Sequence, residues 1–247
     1  MAAPEAPEPR VERVLDSAAE LLVRWGYQRV TIDEIARHAG IGKGTVYLHF
    51  RNKEALFLTV LLRTHRRVAE RRVQSMEADP ASVLPAALMR ESYLELAADP
   101  VLRSLYLGDA EVLGRLAHEA ATTLGELTER RAEAFREHLR LLQAAGCLRG
   151  DLPVDALRYT VTAIVTGFYT VDGMQLPGPD PDVTEKAALL ERAVAAALQV
   201  PDPPAAELER LAPAIAQLYR PLIEHIDHEW RRRVRQPRRA APERSSR

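Results

Sequence analysis

Residues 41–56 read IGKGTVYLHFRNKEAL, and the spacing of glycine, apolar and capping residues within them decides the fold. Gly42 stands at an N-cap position, and Lys43 to Phe50 follow as about two helical turns. Val46 and Phe50 are four residues apart and so share one inward face. Lys43, Gly44, Thr45, Tyr47 and His49 are left on the N-terminal and outer sides. Asn52 can accept hydrogen bonds at the start of a further helix that begins with Lys53. Upstream, Thr31-Ile32-Asp33-Glu34 forms a capping box, with Val30 and Ile35 at the positions of a hydrophobic staple. A short helix therefore runs from Ile32 to about Ala39. Gly40 supplies the positive φ that ends it, and Ile41 fills the turn. Helix, glycine turn, helix is the helix-turn-helix arrangement, whose second helix presents its N-terminal residues to base edges in the major groove.

The chemistry of the stretch agrees with that placement. Gly44 has no side chain to hold the backbone away from a base edge or a phosphate, and free N–H groups at a helix start favour an anion. Lys43 and Thr45 add a cation and a hydroxyl at the same end. Tyr47 and His49 carry hydrogen-bonding groups on stiff rings, suited to phosphate oxygens. The chain holds 31 Arg and 3 Lys, and two of those lysines are Lys43 and Lys53. A compact ammonium at both sites, in so arginine-biased a chain, points to limited space there.

Residues 10–57 resemble the DNA-binding domain of the TetR family of bacterial transcription regulators. The family pattern is an apolar residue, a small residue and KGTLYxHFxSKEEL. Here Ile41, Gly42, Lys43, Gly44, Thr45, Val46, Tyr47, Leu48, His49, Phe50, Arg51, Asn52, Lys53, Glu54, Ala55 and Leu56 stand in its place. Gly42 replaces the more frequent Ser and loses a capping hydroxyl, and Asn52 replaces Ser or Thr with an equally good cap. The resemblance implies that Lys43, Gly44, Thr45 and Tyr47 face the groove while Thr31, His49 and Lys53 hold phosphates. With Gly42, these form the expected DNA-binding set. The resemblance covers about a fifth of the chain.

The same glycines allow a second reading. GIGKGT, residues 40–45, also looks like the end of the phosphate-binding loop of nucleoside monophosphate kinases, which would make the protein a nucleotide-binding enzyme. That loop must follow a buried strand. Here the expected neighbour is a capped amphipathic helix, and the loop's first Gly and its Pro are replaced by Arg37 and Ala39. No nucleophile elbow, zinc-protease motif or dinucleotide fingerprint accompanies it, so no catalytic residue and no cofactor is expected.

Charge is distributed unevenly behind a net charge of −1. Residues 1–76 carry 13 Lys/Arg against 9 Asp/Glu, residues 77–230 carry 13 against 25, and residues 231–247 carry 8 against 1. Basic ends flank an acidic middle. A basic N-terminal domain suits a polyanion, because phosphate contacts release counterions. One cysteine, Cys147, permits no intramolecular disulfide framework, and the opening MAAPEAPEPR leads into no apolar signal segment. We therefore expect a cytoplasmic protein, without a membrane span and without a metal site. His225 and His228, with Glu224 and Asp227, supply too few convincing ligands.

Helical periodicity runs through the remainder. A first helix places Val11, Val14, Leu15, Ala18, Ala19, Leu22 and Trp25 on one face and ends at Gly26. The helix that starts at Lys53 continues to about Met76, roughly 36 Å at 1.5 Å per residue. Its far half, RTHRRVAERR, is expected to be a solvated face. Further helices are expected over 82–97, 101–107, 111–145, 154–174, 183–198 and 205–235, with Gly114 and Gly125 as points of bending. The fold class is all-α: a disordered segment over 1–9, a helix-turn-helix domain over 10–57, a helical ligand-binding and dimerisation domain over 58–235, and an Arg-rich disordered tail over 236–247.

By the resemblance, the larger domain binds a small-molecule effector and dimerises through its late helices, so that a homodimer reads a palindromic duplex operator as a repressor and the effector releases it. Met89, Tyr93, Leu96, Tyr106, Phe135, Phe168 and Tyr169 are the expected lining of a largely apolar ligand site. The dimer contact is assigned to one face of 154–174, with Leu157, Val161, Ile164, Val165, Phe168 and Val171, and to Leu189, Leu190, Val194, Ala197 and Leu198. Periodicity alone equally allows an intramolecular core. The Arg-rich tail is expected to leave from the ligand-domain side and to serve solubility ahead of DNA affinity.

Overall fold

The structure is a computed structural model and describes residues 9–106, 121–174 and 180–234, with side chains described except over 104–106 and 121–124. Within the described residues every regular element is helical. The order is α1 (Pro9–Trp25), α2 (Ile32–His38), α3 (Lys43–His49), α4 (Lys53–Ala78), a 3-10 turn (Pro80–Val83), α5 (Pro85–Ala98), α6 (Pro100–Tyr106), α7 (Ala121–Ala144), α8 (Val154–Met174), α9 (Val183–Leu198) and α10 (Ala205–Val234). One isolated antiparallel bridge pairs Leu148 with Gln199 and ties the α7–α8 loop to the end of α9.

Local chemistry starts these helices where the residues require it. The Thr31 hydroxyl accepts from Glu34 N at 3.3 Å while the Glu34 carboxylate accepts from Thr31 N at 2.8 Å, completing the capping box of α2. Gly40 has φ +66° and turns the chain toward α3. Gly42 caps α3 with extended backbone and no side-chain bond. Asn52 Oδ1 accepts from Ala55 N at 2.8 Å and opens α4. Asp182 and Glu185 form a second capping box that opens α9.

α4 is the spine of the molecule. Residues 55–62 are buried on every side of the helix, the signature of a central helix rather than a half-exposed one. α1 packs on one side of it and α10 lies along another. Val46 and Phe50, both essentially inaccessible, hold α3 against this core; truncating Phe50 to alanine would cost about 3–5 kcal/mol at such a site.

Several expectations need correction. Trp25, placed on the buried stripe of α1, is 38% exposed, and Leu21 is buried instead. At 100° per residue Trp25 still shares that face, and its exposure comes at the last residue of α1, where the helix gives way to the turn at Gly26. The arginines of 63–72 are only in part a solvated face: Arg67 and Arg71 are exposed, whereas Arg63, Arg66 and Arg72 are partly covered. Arg63 Nη1 donates to Glu12 at 2.8 Å and to Asp16 at 2.7 Å on α1. Arg66 lies 2.8 Å from Asp227 on α10, and Arg72 donates to Ser92 on α5 at 2.6 Å. Because α4 is covered on several sides, the guanidinium groups of Arg63, Arg66 and Arg72 meet carboxylates and hydroxyls on neighbouring helices. α7 runs through Gly125 without a break, while Gly114 lies outside the described residues.

The last helix departs most from expectation. α10 runs antiparallel to α4: Arg220 pairs with Glu77, Asp227 with Arg66, and the Val234 carbonyl lies 3.4 Å from His49 Nδ1 at the end of α3. The chain therefore leaves α10 beside the helix-turn-helix, not on the ligand-domain side. Pro213 and Pro221 lie inside this helix. Each lacks one backbone donor, and both rings are exposed.

Candidate nucleic-acid interface

α2 and α3 pack through the glycine turn, with Ile41 N donating to Ala36 O at 3.0 Å, so the orientation of α3 is set by its neighbour and by Val46 and Phe50 beneath it. This leaves Gly42, Lys43, Gly44, Tyr47 and Leu48 exposed along one edge of α3, with Thr45 half-buried between them. A side-chain carbon built on Gly44 would meet no heavy atom within 4 Å; the surface at this point is open backbone.

Lys43 Nζ donates to Asp33 Oδ2 on α2 at 2.7 Å, and that hydrogen bond raises the ammonium above its ordinary value. Both groups are largely exposed, so the pair holds the cation in place while leaving it exchangeable with a phosphate. Thr31 is exposed at the start of α2, its hydroxyl also donating to Glu34 at 2.8 Å. Lys53 sits differently. Its ammonium donates to Tyr27 O at 2.5 Å and lies 4.1 Å from the centre of the Tyr27 ring. Tyr27 in turn donates to Glu54 at 3.1 Å and meets Phe57 edge-on at 5.1 Å. Lys53 thus ties the α1–α2 turn to the start of α4. His49 turns toward Val234 on α10. Lys53 and His49 accordingly flank the open face formed by Lys43, Gly44 and Tyr47.

Two exposed residues escaped the sequence reading. Leu48 is 49% exposed on the reading helix, an apolar group of the kind that meets a thymine methyl. Asp33 enters only through its reach to Lys43. The i, i+4 relation of Gly44 to Leu48 put both on one face, but an apolar residue in an amphipathic pattern gives no warning of outward exposure.

GIGKGT does not follow a strand. Gly40 ends the α2 region and Gly42 to Thr45 open α3, so the phosphate-loop reading lacks the architecture on which it depends. Among the described residues no group of three or more His, Cys, Asp or Glu converges as a metal site would require, and no helix is long and apolar enough to cross a membrane.

In the larger domain, α5 carries Met89, Tyr93 and Leu96, α7 carries Phe135, and α8 carries Phe168 and Tyr169, all packed on the same core. Tyr93 and Tyr169 stack with ring centres 5.6 Å apart and planes within 3°, and the Tyr93 hydroxyl donates to Asp172. Phe135 meets His138 edge-on at 6.0 Å. The side chain of Tyr106 lies outside the described residues. Beside the apolar set is a polar one around His138, which with His118 the sequence left open between ligand contact and core. The carbonyl of Val83 can only accept, so His138 Nε2–H donates to it at 2.7 Å, and Nδ1 accepts from the Tyr219 hydroxyl at 2.9 Å. Burial pulls His138 down to about 4, against the hydrogen bond to Val83. Burial, followed by Arg131 and Arg72, pulls His65 down to about 3. Both imidazoles are neutral core groups at neutral pH. His118 lies outside the described residues.

The face of α8 named for dimer contact points largely inward: Leu157 and Val161 are buried, and Ile164, Val165 and Phe168 pack on the core. Exposed instead are Tyr159, Thr162, Ala163, Thr166, Gly167, Thr170, Val171 and Met174. On α9, Leu190, Val194 and Leu198 are buried and Leu189 is 39% exposed.

Comparison with known proteins agrees with this geometry. Residues 14–60 match the family described as bacterial regulatory proteins, tetR family. Over 130 residues the chain is 29% identical to the HTH-type transcriptional regulator AlkX of Mycobacterium tuberculosis, covering 51% of this chain and 62% of that protein; less than two thirds of that relative is therefore spanned. Over 178 residues it is 30% identical to the HTH-type transcriptional regulator TtgR of Pseudomonas putida, covering 69% of this chain and 80% of that protein. Among solved structures, the complex of SmeT with triclosan superposes with a TM-score of 0.58 at 22% identity, over 78% of this chain and 93% of that one. SmeT is the repressor of the Stenotrophomonas maltophilia multidrug efflux pump SmeDEF, and the likeness to it shows the fold. With the helix-turn-helix match and the extended identity to TtgR, this chain belongs to the TetR family of bacterial regulatory proteins.

Proposed function

We propose that this protein is a ligand-responsive transcription regulator of the cytoplasm, a repressor that binds a palindromic duplex operator as a homodimer and is released by a small-molecule effector. The observation that carries this reading is the open face of α3. Lys43, Gly44, Tyr47 and Leu48 are exposed together on a helix whose inner side is locked by Val46 and Phe50. In the complex, Lys43 exchanges Asp33 for DNA, Gly44 lets the helix start approach the groove, and Thr45, Tyr47 and Leu48 meet base edges or sugar-phosphate. Gly42 and Thr31 offer groups at the starts of α3 and α2, and Lys53 and His49 border the contact.

The need for a second copy arises from what one such module lacks. A single helix-turn-helix reads few base pairs, and paired modules about one helical turn, roughly 34 Å, apart gain affinity and specificity. The exposed stripe of α8, rich in Ala, Thr and Gly with Tyr159, Val171 and Met174 at its edges, recurs every three to four residues and supports packing against a second copy. We place the DNA-binding domain over 10–57 and the ligand-binding and dimerisation domain over 58–235. The stacked Tyr93 and Tyr169, with Met89, Leu96, Phe135 and Phe168 around the same core, support an effector with substantial apolar surface. SmeT, a repressor that binds triclosan, is consistent with such a ligand class. An effector that prefers a conformer with the wrong spacing of the two reading helices weakens DNA binding by that preference. α4, common to both domains, transmits the change.

The test is selection of bound sequences from random duplex DNA by the full chain. An enriched inverted repeat is expected. Failure to enrich any sequence above the input pool would overturn the reading.

A further inference from the structure

We propose that Asp227 to Val234, the end of α10, form a clasp that holds the reading helix in one orientation against α4, so that operator binding depends on residues that touch no DNA. The clasp presupposes that α3 is the groove-facing helix and adds to that reading a set of positioning residues, Asp227, Glu229, Trp230 and Val234. Three observations converge. First, α10 is fastened along α4 and ends on α3. Arg220 pairs with Glu77, Asp227 Oδ1 lies 2.8 Å from Arg66 Nε, and the Val234 carbonyl lies 3.4 Å from His49 Nδ1. That carbonyl can only accept, so the His49 ring N–H donates to it. Ile226, Trp230 and Val234 recur every four residues and are buried, so an apolar stripe seats α10 as far as its last turn.

Second, the junction is charged on the inside. His49 and Val234 are the last residues of α3 and α10, so two helix C-termini meet, and cations offset the partial negative charge of both ends. Arg51 comes from the turn between α3 and α4, and Arg231, Arg232 and Arg233 from α10. Glu229 is the buried counterweight: it is 7% exposed and lies 2.9 Å from Arg232 Nη2 and 3.9 Å from Arg233 Nη2. Burial holds the Arg233 guanidinium below its ordinary value; Glu229 opposes that pull, and Arg232 and Arg51 add to it. Without the Glu229 charge, Arg51 and Arg233 repel one another across the junction in a half-buried place where screening is weak.

Third, α3 needs outside support. It has 7 residues, of which Val46 is the buried one, and so short a helix draws its stability and direction from packing rather than from itself. Val46 and Phe50 fix its inner side, and α10 closes its C-terminal end. A dimer reads two half-sites at a set separation, so a turn of α3 about its inner contacts spoils the fit at both. Operator affinity then falls in proportion to the fraction of molecules whose reading helices are correctly aimed. None of the clasp residues lies on the open face of Lys43, Gly44 and Tyr47, which separates their effect from that of a phosphate contact.

The experiment compares four full-length proteins on two duplexes, the selected operator and the same operator with one base pair inserted at its centre, each titrated at several salt concentrations. The proteins are the natural sequence, Glu229→Gln, Asp227→Asn and, as control, Arg220→Gln, which breaks an exposed pair with Glu77 at the other end of the clasped helix. Glu229→Gln is expected to weaken operator binding about 5- to 50-fold as the competent fraction falls. Its slope of log K against log salt should not change, since no phosphate contact is lost. Its discrimination between the two duplexes should narrow at least about threefold, and amide exchange over 43–49 should quicken. Asp227→Asn should move the same readouts in the same direction by about 2- to 5-fold, and Arg220→Gln should match the natural sequence. Circular dichroism and sedimentation should give one helix content and one dimer mass for all four. Natural affinity and spacing discrimination in Glu229→Gln overturn the clasp, as does tighter binding with a steeper salt slope, the mark of arginines released to phosphate. Should Glu229→Gln fail to fold, the same outcomes in Asp227→Asn decide. Absence of any salt-dependent duplex binding by the natural sequence instead overturns the reading of α3, and the clasp with it.

Discussion

Replacing Gly44 by alanine separates folding from function at the point where the two make opposite demands. Gly44 lies in the first turn of α3 with no positive φ, and a side-chain carbon added there meets nothing within 4 Å. In the free protein the substitution therefore removes the entropic cost of glycine in a helix and stabilises the fold by up to about 1 kcal/mol. For a chain of this size that raises the melting temperature by roughly 2–4 °C. In the complex, the methyl group projects into the surface where backbone and DNA approach. Forcing such a group into a packed contact costs roughly 1–3 kcal/mol, or about 5- to 150-fold in Kd. Calorimetric melting and fluorescence-anisotropy titration on the selected operator read the two effects separately. Gly44→Ala that melts at or above the natural protein and still binds with undiminished affinity would refute the placement of this backbone against DNA. Gly40→Ala is the contrast: at φ +66° a side chain costs roughly 1–2 kcal/mol in the fold itself, so its melting temperature should fall first.

The same geometry sets three further outcomes. Asp33→Asn removes the carboxylate that competes with phosphate for Lys43 and should tighten operator binding by about 2- to 5-fold at ~0.1 M salt; weaker binding would mean that Asp33 positions Lys43 for DNA. His65 and His138 are held neutral, near 3 and 4, against about 6.5 when unfolded. Their contribution is complete above pH ~6.5 and lost as pH falls toward those lower values, because the unfolded chain binds the protons first. Between pH 7.5 and 5 each should cost about 2 kcal/mol in urea denaturation. A His138→Gln variant with the same pH slope as the natural protein would contradict the neutral assignment. Ala163→Glu on the exposed stripe of α8 should yield monomers in analytical ultracentrifugation, whereas an unchanged dimer would place the interface elsewhere.

What could be read in advance was the local chemistry. The capping box at Thr31 and Glu34, the turn glycine at 40, the Asn52 cap and the inward pair Val46 and Phe50 each involve residues within four positions of one another. Such contacts are written directly into spacing. The face of α8 shows where this stops: periodicity identified an apolar stripe, yet whether that stripe met its own core or a second copy depended on α5, α7 and α9, helices outside the segment itself. Arg72 reads as one more surface cation until Ser92 and Glu95 are brought beside it. Tyr93 and Tyr169 stack although α6 and α7 lie between them in the chain. The course of α10 was least legible, because Val234 and His49 lie 185 positions apart and nothing local in either segment names the other.

The central claim is that the open face of α3 reads duplex DNA. The most direct test titrates the selected operator at one fixed salt concentration with the natural protein, Lys43→Ala and Tyr47→Ala in a mobility-shift assay. Circular dichroism and sedimentation are run on the same samples. Both side chains are exposed, so helix content and dimer mass should be unchanged while operator binding is lost in each variant. Wild-type affinity in both variants, with fold and assembly intact, would contradict the account.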